Sequence, residues 1–478
     1  MEVKIFFMRK TLFLVFFPCA LAFGENLPPW FPQFLGMKAT FVGQYSTNFN
    51  SPYEGPMTFG NPYKNNGGGR SEEVTQSYGL YTGAQLTKDI QAYLDIQLFK
   101  GNGVGYGQGI GGYPNFLYIR AGSSDLGKNP YIARAYIIYT KALSQSLEYE
   151  GRAPDQLPGY YPKEYFYIKI GKFSLADDFD NNRYANSPRT QFLNYDFNDN
   201  VAWDYGADTR GYTVGVESGV VKKHYSFKIA LGAEPTMANG NTYDQSGAYS
   251  LNTQLSLRPN DIGTVIRLLG MLNYGRMGSY TEAMDNFSYY YSPNSPCYYT
   301  KFGPNGALAG YDYPVICTES KDHKRYKWGF FLNLEQPIAD DGKTGLFLRA
   351  GFNNGQTEDF AYTDADRDIA GGISINGVHW KRPKDQLGIG LAINALSNTH
   401  KRYLESGTIN EPSSSFFVGS GQNGQFNYGY EEIMEAYYKY QLNKYISISP
   451  DAQYIRHPGY DKNRGPLWVY GLRVNAQF

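Results

Sequence analysis

Residues 468–478, WVYGLRVNAQF, decide the fold. Trp468, Tyr470, Leu472, Val474, Ala476 and Phe478 share one parity. Gly471, Arg473, Asn475 and Gln477 take the other, with Val469 as the apolar intruder. Alternate side chains of an extended chain point to opposite faces, so this segment reads as a strand with one apolar and one wet face. The same rule recurs upstream. Tyr249, Leu251, Thr253, Leu255 and Leu257 alternate with Ser250, Asn252, Gln254, Ser256 and Arg258, and Ile90, Ala92, Leu94, Ile96 and Leu98 alternate with mostly polar neighbours.

Charges obey that parity. Asp95, Lys228, Arg258, Arg267, Glu335, Arg349, Glu435, Lys439 and Arg473 each fall opposite the main apolar set of their segment. A cation facing lipid at mid-membrane costs about 2–4 kcal/mol, and one facing a water-filled lumen costs little. The segregation predicts an all-β transmembrane antiparallel barrel with these charges facing its lumen. A soluble β-sandwich alternates too, and loop lengths separate the two readings. About sixteen strands are expected, starting near Met37, Val74, Ile90, Tyr131, Glu164, Gly211, Tyr225, Ala248, Thr264, Tyr326, Thr344, Asp368, Asp385, Glu431, Tyr445 and Trp468. Tight turns at 87–89, 222–224, 259–263 and 443–444 alternate with long connections at 48–73, 100–130, 275–325 and 396–430. Outer-membrane barrels have that asymmetry, with short periplasmic turns and long extracellular loops. Residues 143–163 break the alternation: they should form a short turn and do not.

Composition fits. Of 478 residues, 44 are basic and 44 acidic, which leaves no electrostatic footprint for nucleic acid. The 54 Gly and 45 Tyr favour bends and strands. Residues 1–24 read as a cleaved signal peptide, with Lys4, Arg9 and Lys10 before an apolar run and Ala20-Leu21-Ala22 or Ala22-Phe23-Gly24 at the cleavage site. Residues 25–36 are expected to be an N-terminal periplasmic segment and 37–478 the barrel. The mature chain keeps Cys297 and Cys317, free to pair after export. A bridge there would staple one loop and contribute about 3 kcal/mol; two unpaired thiols are the alternative.

Enzyme-like strings are weak. Gly107, Gly109 and Gly112 satisfy GxGxxG, but no helix follows to bind a phosphate. Asp364, Asp366 and Asp368 imitate a calcium loop, yet Ile369 and Ile375 stand where glycine and a bidentate acid are needed. The histidines His224, His323, His379, His400 and His457 have no metal spacing. No catalytic residue, metal or cofactor is expected.

The informative stretch is 171–212. Arg183, Arg189 and Arg210 supply planar donors, Asp180, Asn181, Asn182 and Asn194 acceptors and amides, and Tyr184, Trp203 and Tyr205 flat apolar faces. A pyranose has hydroxyls on its rim and C–H groups on its faces, which this mixture suits. The plainer alternative is a surface loop folded by its own Asx turns. The motifs DNNRYANSPRTQFLN (180–194), AWDYGADTRGY (202–212), YGYEEIMEAYY (428–438), SPDAQYI (449–455) and HPGYDKNRGP (457–466), with terminal Phe478, resemble the OprB family of carbohydrate-selective porins. That resemblance implies a sixteen-stranded outer-membrane barrel narrowed by an inward-folded loop around 173–210, and passive uptake of mono- and small oligosaccharides. It makes Asp180, Asn181, Asn182, Arg183, Arg189, Asn194, Trp203 and Arg210 candidates for either constriction or loop-fold residues. Phe478 resembles the aromatic end read by barrel-assembly machinery. The expected partners are sugars, outer-membrane lipid and that machinery. A general diffusion porin is the alternative, and an outer-membrane enzyme or adhesin a more distant one.

Overall fold

A computed structural model of the chain describes residues 28, 30–52, 59–63, 71–107, 109–122, 126–285, 323–405 and 426–478. The segment 1–24 expected to be a signal peptide and the Cys297/Cys317 pair lie outside the described residues. Sixteen strands close into one antiparallel barrel, each paired with its neighbours in chain order. They are β1 (Gln33–Ser46), β2 (Glu72–Thr87), β3 (Ile90–Gly101), β4 (Tyr131–Ala142), β7 (Tyr165–Phe173), β8 (Thr213–Val221), β9 (Tyr225–Ala233) and β10 (Tyr249–Leu257). The second half comprises β11 (Val265–Gly275), β12 (Arg325–Ala339), β13 (Thr344–Asn353), β14 (Arg367–Asn376), β15 (Gln386–Ala395), β16 (Glu431–Gln441), β17 (Ile446–Arg456) and β18 (Leu467–Gln477). The seam pairs β1 with β18 from Lys38↔Gln477 to Ser46↔Val469, and inside it the Thr40 hydroxyl donates to Asn475 Oδ1 at 2.8 Å.

Fifteen of the sixteen expected starts fall within two residues of an observed strand. The exception is the first, because β1 begins at Gln33 and takes up the end of the segment 25–36. A register shift between Phe34 and Gly36 breaks the alternation there and buries Leu35 against Tyr81, Tyr93 and Leu157. Parity along the closing strand is as read from sequence: Trp468, Tyr470 and Leu472 are 37%, 46% and 53% exposed, and Arg473 is 1% exposed. Asp95, Glu335, Arg349, Glu435 and Arg473 are buried, while Lys228, Arg258, Arg267 and Lys439 are half-buried.

The irregular segment 143–163 holds a separate hairpin, β5 (Leu147–Glu150) with β6 (Gly159–Pro162). Its tip turns back into the short-turn mouth of the barrel. Leu157 is buried with Leu35, Tyr81 and Tyr93, the Tyr161 hydroxyl donates to Leu157 O at 2.7 Å, and Asp155 reaches to 3.9 Å from Arg134.

The main hydrophobic core lies inside the barrel. Phe179, Tyr184, Phe192, Tyr195, Phe197, Trp203 and Tyr205, all from the connection between β7 and β8, pack there with inward residues such as Phe331, Phe347 and Tyr437. The wall is dented to receive them: a Cβ at Gly345 would sit 2.2 Å from the Tyr184 ring, and one at Gly390 2.6 Å from that of Phe197. Burying these rings offsets the entropy of ordering a long loop.

Candidate functional site in the filled lumen

The loop 174–212 leaves β7, crosses the lumen and returns to β8, bent by successive Asx turns. Asn182 Oδ1 accepts from Tyr184 N at 3.0 Å, Asn194 Oδ1 from Asp196 N at 3.0 Å, and Asp208 Oδ1 from Arg210 N and Tyr212 N at 3.0 and 3.1 Å. Gly211 follows at φ +86°, a left-handed conformation that favours glycine, and brings Tyr212 back to the wall.

Buried polar contacts rivet this loop. Arg349 of β13 has no exposed surface; its Nε donates to Asp180 Oδ2 at 3.0 Å, and its fork to the carbonyls of Asp180, Phe197 and Asn198 at 2.9, 3.1 and 3.0 Å. Asn200 and Asn333 complete the Asp180 carboxylate. The Asn182 amide donates to Asn333 Oδ1 at 2.8 Å, and the Trp203 indole donates to Asn252 Oδ1 at 2.8 Å. Asn194 donates to Gly112 O and Gln453 Oε1 at 3.0 and 3.1 Å, while its own N–H donates to Glu435 at 3.0 Å. Asp180, Asn182, Asn194 and Trp203 are all buried and bonded within the loop or to the wall, and of the four Asn182 also borders the cavity described next.

Arg189 is half-buried and donates to Thr40 Oγ1 of β1 at 3.2 Å and to the Ser77 hydroxyl of β2. From the other side of the seam, Arg473 donates to the carbonyl of Pro188 at 3.0 Å and to that of Gln191. Arg183 is exposed and lies 3.8 Å from Glu335. Near the short turns Asn181, Asn182, Arg183, Asn186, Arg258, Val265, Arg267 and Glu335 line a polar cavity of about 430 Å³, within the roughly 300–1,000 Å³ usual for small-molecule sites. Arg267 pairs with Glu335 at 2.7 Å.

A second group was not legible in the sequence. Tyr212 is buried, and three cations surround its ring: Arg120, Lys172 and Arg134, at 5.7, 5.8 and 5.6 Å from the centroid. Such contacts are worth about 0.5–2 kcal/mol each. Arg134 is spent on acids, bonding Asp177 at 2.6 Å and Asp95 at 3.0 Å. Burial opposes charge on Asp177, but Arg134, with Lys169 and Arg120 behind it, outweighs burial and holds the carboxyl below its ordinary pKa. Arg120 caps α1 (Phe116–Ile119) in the β3–β4 connection, and its guanidinium also lies 5.1 Å from the Phe116 ring. That guanidinium is half-buried and has no hydrogen-bond acceptor among the described residues. Arg210 lies 4.0 Å over Tyr131, at the long-loop end of β4, and Arg134 is three residues further in, about 10 Å along the strand. Together these cations make a column on one wall of the lumen. Arg134 points inward because the β3–β4 register shifts between Asp95 and Ile96, leaving Ala133 as an extra residue.

Residues 57–478 match the family model described as carbohydrate-selective porin, OprB family. No curated protein matches the chain. Among solved structures the fold is similar to OprB of Pseudomonas putida, with a TM-score of 0.60, 15% identity and 94% of each chain covered. The outer-membrane channel DcaP of Acinetobacter baumannii aligns at a TM-score of 0.47 and 8% identity, over 94% of this chain and 97% of that one.

Proposed function

The chain belongs to the OprB family of carbohydrate-selective porins, and on that premise we propose that sugars pass along the cationic column of Arg210, Arg120, Lys172 and Arg134. The protein is an integral outer-membrane barrel for passive, carbohydrate-selective uptake. Its family and structural neighbours are channels.

Arg120 carries the residue assignment. Two aromatic rings hold its guanidinium in place while its N–H donors keep no protein acceptor among the described residues. A hydroxyl-rich, uncharged solute needs such donors, and a fixed fork loses little entropy when it binds. Lys172 and Arg210, both half-buried, offer further donors on the way in. Hydroxyls exchange one donor for the next, so each contact stays weak enough to release. The solutes of this reading are mono- and small oligosaccharides, with no catalytic step and no cofactor. Outer-membrane lipid would cover the Trp468, Tyr470 and Leu472 face, and barrel-assembly machinery would read Phe478.

The test is single-channel conductance in a planar bilayer, with glucose, a disaccharide and a size-matched neutral non-sugar titrated in turn. The wild-type protein shows saturable block by sugar alone, and Arg120→Gln raises the half-blocking concentration about tenfold, the loss of about 1.4 kcal/mol of charge-assisted hydrogen bonding. Equal block in both proteins removes Arg120 from the path. Equal behaviour of sugar and non-sugar in the wild type makes the barrel a general diffusion pore.

A further inference from the structure

Loops on the long-loop face converge on His400. It lies in α3 (Asn398–Glu405), has no exposed surface, and stacks on Tyr280 of α2 (Tyr280–Asp285) with ring centroids 4.3 Å apart. Its Nδ1 is 3.0 Å from Asp366 Oδ2. One ligand atom from each of Asp359, Asp366 and His400 lies within 4.8 Å of the others, and all three residues are at least nine-tenths buried. Asp359 Oδ2 and Asp366 Oδ1 have no hydrogen-bond partner there.

Four acidic side chains crowd this pocket. The carboxylates of Asp204, Glu358, Asp359 and Asp366 are all buried. Against them stands the Lys327 ammonium, 2.9 Å from Asp204 and 3.1 Å from Asp359.

We propose that Asp359, Asp366 and His400 form a divalent transition-metal site of the zinc class, which clips the β13–β14 loop to α3 at the outer rim of the barrel. Two carboxylates and an imidazole are a three-ligand zinc set, with the fourth position left to water. The 3.0 Å between His400 Nδ1 and Asp366 Oδ2 is close to the roughly 3.3 Å between neighbouring ligands on a tetrahedral ion with bonds of about 2.0–2.1 Å. An ion would take the place of the proton those two atoms now share, and Asp359 would close in as third ligand. The calcium-like run of the sequence is a different arrangement. Asp366 belongs to this site, whereas Asp368 accepts from Ala202 N at 3.1 Å. His400 is 34 residues from Asp366, so no local spacing announces the set.

The test uses the full-length, detergent-purified porin, stripped with EDTA and titrated calorimetrically with Zn²⁺ alone, with Ca²⁺ in a parallel arm. One zinc per chain is expected, with Zn²⁺ raising the thermal midpoint. His400→Gln and Asp366→Asn should each lose at least about tenfold in affinity, together with the thermal shift. His379→Gln, an exposed histidine paired with Asp340, should bind zinc as the wild type does. Heat-modifiable electrophoretic mobility reports whether each variant is folded, and Asp359→Asn replaces any that is not. Absence of stoichiometric zinc, equal zinc binding in His400→Gln and wild type, or tighter binding of Ca²⁺ than of Zn²⁺ each overturns the proposal.

Discussion

Replacing Arg349 with Met should release the inward loop while leaving the barrel closed. Arg349 is fully buried and makes five hydrogen bonds to the loop, one of them to the Asp180 carboxylate, itself 1% exposed. Removing one partner of a buried ion pair costs about 3–5 kcal/mol, mostly through the charge left behind. Asp180 keeps donors from Asn200 and Asn333, which places the cost at the lower end, about 3 kcal/mol. At about 1.4 kcal/mol per factor of ten, the ratio of docked to undocked loop falls roughly a hundred-fold. Single-channel conductance should rise and sugar block weaken. Limited proteolysis should cut within 174–212, while heat-modifiable mobility shows an intact barrel. Adding Asp180→Asn removes the orphaned charge, so the double variant should recover part of the loss. Wild-type conductance and protease resistance in Arg349→Met would refute the idea that this pair holds the loop.

Other expected outcomes follow from the same geometry. Trp203→Phe deletes the bond to Asn252 and should lower the thermal midpoint by the equivalent of about 1 kcal/mol with no change in sugar block; a changed block constant would put Trp203 in the sugar path. Leu157→Ala empties a buried contact of the hairpin tip at a cost of about 2–5 kcal/mol. It should raise conductance while sparing the sugar preference, and unchanged conductance would show that the tip does not narrow the mouth. Leu472→Arg places a cation on the exposed outer face, at up to about 2–4 kcal/mol in lipid; refolding yields equal to wild type in bilayers of several thicknesses would contradict the lipid assignment.

The barrel was legible because its physics is periodic. Inside and outside alternate along every regular strand, and the charged side chains at positions such as Arg258, Arg349 and Arg473 mark the wet face. Legibility stopped where the period stopped. The shift at Leu35 hid the true start of β1, and the extra residue Ala133 hid the inward aim of Arg134. Composition drew attention to 171–212, but types of residue do not say which become buried. Trp203 and Asp180 went into the packing, while Arg120, from another loop, has no acceptor among the described residues. The Tyr212 cluster joins α1, β4, β7 and the end of the inward loop, and a meeting of segments so far apart leaves no local signature.

The contacts of Arg189 and Arg473 have a kinetic consequence. They fasten one short stretch of the loop to β1 and β2 on one side of the seam and to β18 on the other. Closing that seam joins the two ends of the chain, with Lys38 opposite Gln477, and the logarithmic length term for so long a loop is about 5 kcal/mol. Until β18 docks, both terminal strands are open edges able to pair with another chain. A loop already seated in the nascent barrel would present Arg189 to β1 and the Pro188 and Gln191 carbonyls to the arriving β18. The segment that crosses the lumen would thus also act as an internal latch for closure of the seam, and shortening it should slow closure and favour aggregation.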